Sequence, residues 1–301
     1  MSADAITERS ESDAVTTYRV EQRVWSGRTA FQEVELVDSP EYGRMLFLDG
    51  ELQSATSDEA IYHECLVHPV IAGVVAGGRA ATGLRVLVVG GGEGATVREV
   101  LRWGVEVVDW VDIDVELVTA CQERLGWPGI DVLGDDRVRF HGADIATVLP
   151  SLGEYDVVIL DLPDPDGETG WLYSAEFFRM LRGHMAEHGA LVTHCGPVRP
   201  GVGLGVGAGF QRIWRESGLQ GLRPEGFYRV GIPSFQGDWG FWIWRVDGAD
   251  PFEFLWGPRE AVPGLPAGLR ILDEVLMLSW AHPPRMWAEP VAEVTGRSTR
   301  L

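Results

Sequence analysis

Residues 84–90, LRVLVVG, are apolar along almost their whole length and run straight into the glycine cluster Gly90-Gly91-Gly92-Glu93-Gly94. A strand with no polar face must be covered on both sides, which is the situation inside a parallel sheet. The helical pattern ATVREVLRW follows. The same alternation then repeats: EVVDWVDID with VELVTACQERL, RVRF with ADIATVLPSL, YDVVILD with SAEFFRMLRGHMAEH, and ALVTHC with GFQRIWRESG. Strands alternating with helices at this spacing predict an α/β fold, a doubly wound, largely parallel sheet. FYRVGIPS and WGFWIWRV read as an antiparallel pair closing it.

The 301 residues leave room for more than this unit. The acidic, polar N-terminus has no apolar core segment and reads as a mobile tail over residues 1–15, not a signal peptide. Residues 16–57 carry strand-like runs broken by Gly, Asp and Pro, which predicts a small antiparallel β-domain. SDEAIYHECLVHPVIAGVV opens with a Ser-Asp cap and continues at helical spacing. Residues 58–246 then form the α/β domain, and residues 247–301 a Pro- and Trp-rich extension with one helical stretch, LRILDEVLML.

Acidic residues number 45 against 25 basic ones, all arginine, for a net charge of −20. That balance disfavours nucleic acid and anionic membrane surfaces and suits a small cationic partner. No run of about 18 uncharged apolar residues exists, so no membrane span is expected. Three widely spaced cysteines, Cys65, Cys121 and Cys195, argue against a disulfide framework or a zinc site, and fit a reducing cytoplasm.

Glycines directly after the first parallel strand let the backbone approach a bound nucleoside. Gly90-x-Gly92-x-Gly94 is not the spacing of dinucleotide folds, and no pyrophosphate cradle is evident. This points to adenosine without phosphate, as in S-adenosylmethionine and its derivatives. Asp112, about 20 residues on at the end of the second strand, is placed to accept from both ribose hydroxyls. Asp144 is placed to cap a helix, to accept from an adenine amino group, or to do both. Asp161, Asp164 and Asp166 crowd the end of the strand YDVVILD. Such a cluster is costly unless a cation compensates it, which suggests a site for a di- or polyamine.

GGGEGATVREVLRW, VDID, DLPDPDG followed by LYSAEFFRML, LDGELQSATSDEAIYHECLVHP and IPSFQGDWGF together resemble the polyamine aminopropyltransferases, the spermidine synthase family. The likeness covers residues 30–245. It implies a Rossmann-like domain of the S-adenosylmethionine-dependent type behind an N-terminal β-domain, assembled as a homodimer or homotetramer. It implies decarboxylated S-adenosylmethionine as co-substrate and no permanently bound cofactor or metal. By the resemblance, Gln32 contacts the nucleoside donor, Glu93 holds its aminopropyl ammonium, Asp112 takes the ribose, and Asp144 with Ile145 takes the adenine. Tyr62 and His63 line the amine pocket, Asp161 accepts the proton, and Asp164 is the second amine-binding acid.

Five positions depart from the family pattern. Glu93 stands for aspartate, which resembles the branch making thermospermine or aminopropylagmatine. Ile145 stands for glycine, Glu168 for proline, His194 for a glutamine facing the amine, and Phe235 for tyrosine. Two other classes share some of these motifs. A methyl- or alkyltransferase using intact S-adenosylmethionine would carry the glycine and VDID motifs but not the acidic cluster or the YHE segment. A silent ligand-sensing relative would be expected to lack Asp161.

Overall fold

The computed structural model describes residues 4–9, 15–163, 167–198, 226–256 and 263–281. Its centre is a seven-stranded sheet. β7 (Arg85–Gly90), β8 (Val107–Asp112), β9 (Val138–Gly142), β10 (Tyr155–Asp161) and β11 (Met185–Val198) run parallel. β12 (Phe227–Ile232) and β13 (Gly237–Arg245) close one edge antiparallel, giving the order β12-β13-β11-β10-β7-β8-β9. The chain winds one way from β7 to β9 and the other way from β10, so the order reverses between β7 and β10. Ligands of open α/β sheets bind at the carboxyl ends of strands at such a point. Asp161 and Gly90 are register partners there.

The N-terminal part holds a four-stranded antiparallel meander of β3 (Gln22–Arg28), β4 (Glu33–Ser39), β5 (Gly43–Leu48) and β6 (Glu51–Ala55). Alternation splits its side chains between two cores. Val34, Leu36 and Leu46 pack with Leu117 and Cys121 of helix α3 (Val115–Arg124) and with Leu125 at its C-terminal end, while Val37, Met45 and Phe47 pack with Ile6 and Tyr18. The last contact corrects the expectation of a mobile tail. Ala5–Arg9 is strand β1, paired antiparallel with β2 (Val15–Arg19), because Ile6 has an apolar core to enter and is 7% exposed.

Two further boundaries and one helix cap differ from the sequence reading. Helix α5 (Ala175–Arg182) stops at Gly183, and the helical-looking MAEH joins β11 because Met185 pairs with Tyr155. The C-terminal helix α6 (Glu274–Ala281) begins later than LRILDEVLML suggests, since the N–H groups of residues 270–272 are engaged by Glu64 and Asp273 caps Leu276 at 2.7 Å. Asp58 does precede helix α1 (Glu59–Ala76), but its carboxylate does not cap it. It accepts instead from Ser234 N at 2.7 Å and Ser234 Oγ at 2.9 Å, pinning the turn between β12 and β13 to α1. The helix expected in GFQRIWRESG lies outside the described residues. Among the described residues, no helix is long and apolar enough to cross a membrane.

The Asp58–Ser234 contact is buried on both sides. Replacing Asp58 by Ala leaves two buried donors without an acceptor, so the urea midpoint should fall by the equivalent of about 2–4 kcal/mol. Asp58→Asn, which keeps an acceptor oxygen, should lose less. Equal midpoints for wild type and Asp58→Ala would show that the joint contributes nothing.

Candidate active site

The crevice opens where β7 and β10 end. Gly90 has φ +82°, and a Cβ there would lie 2.1 Å from the backbone oxygen of Asp161, so only glycine lets the two strand ends meet. Gly91 N donates to that same oxygen at 2.7 Å. At Gly92 a Cβ would press on Leu117 and come within 3.2 Å of Asp112 Oδ2.

Asp161 is held from two sides. Tyr62 OH donates to Oδ1 at 2.8 Å, and Thr96 Oγ1, from the first turn of α2 (Ala95–Leu101), donates to Oδ2 at 2.6 Å. Burial and the neighbouring Asp161 charge raise the Tyr62 phenol well above its usual range, so it stays a donor. Tyr62 packs edge-on to His63 and Phe235, with centroids 5.1 and 6.3 Å away, and tilted against Phe241 at 5.4 Å. Phe235 lies 4.8 Å from Trp239, which stacks at 6.0 Å on His194. A bulge at Cys195 shifts the β11–β13 register just beyond His194. His194 Nε2 donates to the Leu162 carbonyl, so this nitrogen is committed to backbone.

His63 is buried between two acids. Its Nδ1 meets the Glu59 carbonyl at 2.7 Å and Glu59 Oε2 at 3.2 Å. Its Nε2 lies 3.1 Å from Glu93 Oε1, as an ion pair rather than an aligned hydrogen bond. Burial alone would push the imidazole pKa down, but the two carboxylates outweigh it and raise it to about 10. Glu59 is lowered to about 2: burial opposes its charge, yet His63 and Arg98 hold it ionised.

Asp112 is the acid that burial punishes. Desolvation pushes it up to about 7, against a hydrogen bond from Asp114 N at 2.8 Å, and the charges of Asp114, Asp161 and Glu93 add to the rise. The Gln32 amide donates to Asp114 Oδ2 at 2.9 Å, together with Thr29 Oγ1 at 2.7 Å. The other oxygen of Asp114 caps α3 through Leu117 N at 3.0 Å. Asp144 caps helix α4 (Ile145–Val148) through Ala146 N at 2.8 Å, and Ile145 is buried beneath it.

The structure therefore brings together Tyr62, His63, Gly90, Gly92, Glu93, Asp112, Asp161, His194 and Phe235. Gln32 reaches the same neighbourhood through Asp114. Asp164 and Asp166 lie outside the described residues, as does the side chain of Glu168. Sequence reasoning assigned no role to Thr96, Asp114, Glu59 or Glu64. All four sit within the quoted motifs, so their signal was position in a motif rather than any chemistry visible along the chain. Among the described residues, no group of three or more His, Cys, Asp or Glu is arranged to hold a metal ion.

Residues 59–197 match the family model described as the spermine/spermidine synthase domain, and residues 6–56 match the spermidine synthase tetramerisation domain. A polyamine aminopropyltransferase of Aeropyrum pernix is 34% identical over 293 residues, covering 93% of this chain and 88% of that protein. The chain belongs to the polyamine aminopropyltransferase family. Another family member, from a Synechococcus species, is 44% identical over 177 residues; that alignment spans 58% of this chain and 56% of the relative, little more than half its length. A crystal structure of a spermidine synthase in complex with the transition-state analogue AdoDATO superposes with a TM-score of 0.83. Its identity is 21%, over 97% of this chain and 96% of that one, so the fold is shared.

The Asp112 environment sets a pH dependence for this family member without ligand. Unfolded, the carboxyl titrates near 3.8; folded, near 7. Between those values the folded state holds a proton that the unfolded state has released. Stability therefore falls as pH rises from about 4 to 7, by up to about 4 kcal/mol. Asp112→Asn should flatten the thermal midpoint over that range and raise it at pH 8 relative to wild type. Parallel curves for the two proteins would remove Asp112 from this account.

Proposed function

We propose that this chain transfers the aminopropyl group of decarboxylated S-adenosylmethionine to an amine and releases methylthioadenosine. The observation that carries the reading is the set of carboxylates Glu93, Asp112 and Asp161 around one crevice at the strand-order reversal, with Asp161 held by Tyr62 and Thr96. The donor carries a sulfonium and an ammonium, and the acceptor is itself cationic. Both are drawn to such a crevice, whereas the carboxylate of intact S-adenosylmethionine is repelled. The name of the Aeropyrum relative supports the same reaction class.

In this reading the acceptor nitrogen attacks the propyl carbon bonded to sulfur. The N–C bond forms as the C–S bond breaks, and the electron pair leaves on sulfur as a neutral thioether. A free amine has a pKa near 10.4, so a base must take its proton while it is aligned with the C–S bond. Asp161 is that base, and Tyr62 and Thr96 fix its carboxylate plane. Gly90 and Gly92 admit the nucleoside, Asp112 accepts from the ribose, and Asp144 and Ile145 border the adenine. Gln32 contributes through Asp114, and Glu93 receives the donor ammonium. Tyr62, His63, His194 and Phe235 line the amine side, with Asp164 as its second acid. The tetramerisation-domain match supports self-association as a dimer or tetramer, and three buried free cysteines suit a reducing cytoplasm.

Calorimetry tests the donor. Decarboxylated S-adenosylmethionine should bind more tightly than the intact form, and Glu93→Gln should weaken it by about 1–3 kcal/mol, the scale of one charge-assisted hydrogen bond. Tighter binding of the intact form would instead favour a methyl- or alkyltransferase.

The acceptor follows from the same wall. His194 and Phe235 replace two hydrogen-bonding residues of the family pattern, and His194 Nε2 is spent on Leu162. A short diamine loses partners there, whereas a longer or guanidino-bearing amine extends along the acidic loop. In one reaction containing putrescine, spermidine and agmatine, kcat/KM should be lowest for putrescine. A clear preference for putrescine would overturn the acceptor assignment and leave the donor assignment standing.

A further inference from the structure

Residues 263–281 lie beyond both stretches matched by the family models, yet they reach the site. Their contact with α1 has two layers. Glu64, 1% exposed, turns its carboxylate onto three consecutive backbone N–H groups: Arg270 N at 2.7 Å, and Ile271 N and Leu272 N at 2.9 Å each. This anchor uses main chain and is indifferent to the side chain at position 270. From it, the Arg270 guanidinium reaches back along α1 to Glu59 Oε1.

Glu59 is where the second layer matters. Its Oε2 is shared by Arg98 at 2.7 Å and His63 Nδ1 at 3.2 Å. Among the described residues, Arg270 is the partner of Oε1. Without it one oxygen of a buried carboxylate is left unpaired, and the group is free to turn about the shared one. Glu59 in turn orients His63, whose Nε2 lies against Glu93 at the crevice. An unbroken chain of contacts thus runs from Arg270 through Glu59 and His63 to Glu93.

We propose that Arg270 is a positioning residue for donor binding, which by closing the Glu59 carboxylate fixes the His63 ring and with it Glu93. The proposal rests on the reading that Glu93 faces the donor. Removing the guanidinium should then loosen donor binding and leave the chemistry at Asp161 alone.

Three variants test it: Arg270→Met, which keeps the stem and the main-chain anchor, Arg270→Lys, which restores a cation, and Glu59→Gln. Arg270→Met should raise the donor KM roughly 3- to 10-fold with kcat held within about twofold, and Arg270→Lys should recover most of the loss. In the Glu59→Gln background, Arg270→Met should add nothing, since its effect passes through Glu59. A second readout needs no turnover: the ring ¹⁵N resonances of His63 in the ligand-free protein should move in Arg270→Met and return in Arg270→Lys. An unchanged KM with unmoved His63 resonances overturns the proposal, and so does a full additional effect in the Glu59→Gln background. If the wild-type chain transfers no aminopropyl group, the donor reading fails separately and the His63 resonances alone decide whether Arg270 positions the ring.

Discussion

A buried carboxylate without donors costs several kcal/mol, so each acid on the first turns of α1 must be answered by some other part of the chain. Here the answers come from three other parts of the chain. Asp58 takes the N–H and hydroxyl of Ser234 in the β12–β13 turn. Glu59 takes Arg98 of α2 and Arg270 of the C-terminal segment. Glu64 takes three backbone N–H groups of that segment. Between them Tyr62 and His63 project to Asp161 and Glu93. The helix therefore does more than cover the sheet. Its polar residues set where the aromatic wall, Asp161 and Glu93 stand relative to one another.

The crevice itself has the opposite economy. Glu93, Asp112, Asp114 and Asp161 face one another with less positive charge than they carry negative. Asp114 is satisfied by Gln32, Thr29 and the α3 amide, and Asp161 by two hydroxyls. Among the described residues Asp112 accepts one backbone N–H, and burial together with the neighbouring charges lifts its pKa to about 7. A site in this condition is stabilised by whatever cation enters it. Chain-wide net charge of −20 adds attraction for a cation at long range, but the local imbalance is what distinguishes this place from the rest of the surface.

Much of this was legible because it rests on backbone demands. LRVLVVG followed by glycines announces a buried parallel strand with a ligand turn, and VDID and YDVVILD end strands where acids face the crevice. What was not legible depends on contacts between distant segments. MAEH has helical character, yet pairing of Met185 with Tyr155 made it strand. ITER looks like a solvated tail, yet Ile6 found a core beside Tyr18 and Phe47. The hydrogen bond from Gln32 to Asp114 was not legible either, since nothing along the chain says that the two segments meet. Glu64 showed nothing beyond its place in a motif. Its role exists only because residues 270–272 arrive with their N–H groups aligned.

The glutamate at position 93 acquires a physical meaning from the same geometry. His63 is fixed by the helix and by Glu59, so its Nε2 cannot advance toward the crevice. An acid on the loop after β7 must reach back to it, and the additional methylene of glutamate over aspartate lengthens that reach. Glu93 Oε1 is consequently occupied by an imidazolium while the rest of the carboxylate borders the crevice. In the proposed reaction the donor ammonium shares this carboxylate with His63 instead of claiming it outright. Its attraction to Glu93 is weakened by the neighbouring positive charge, and its position is tied to the orientation of a ring that Glu59 and Arg270 hold from behind. In that proposed reaction, donor affinity is set partly outside the crevice, by how firmly the C-terminal segment sits on α1.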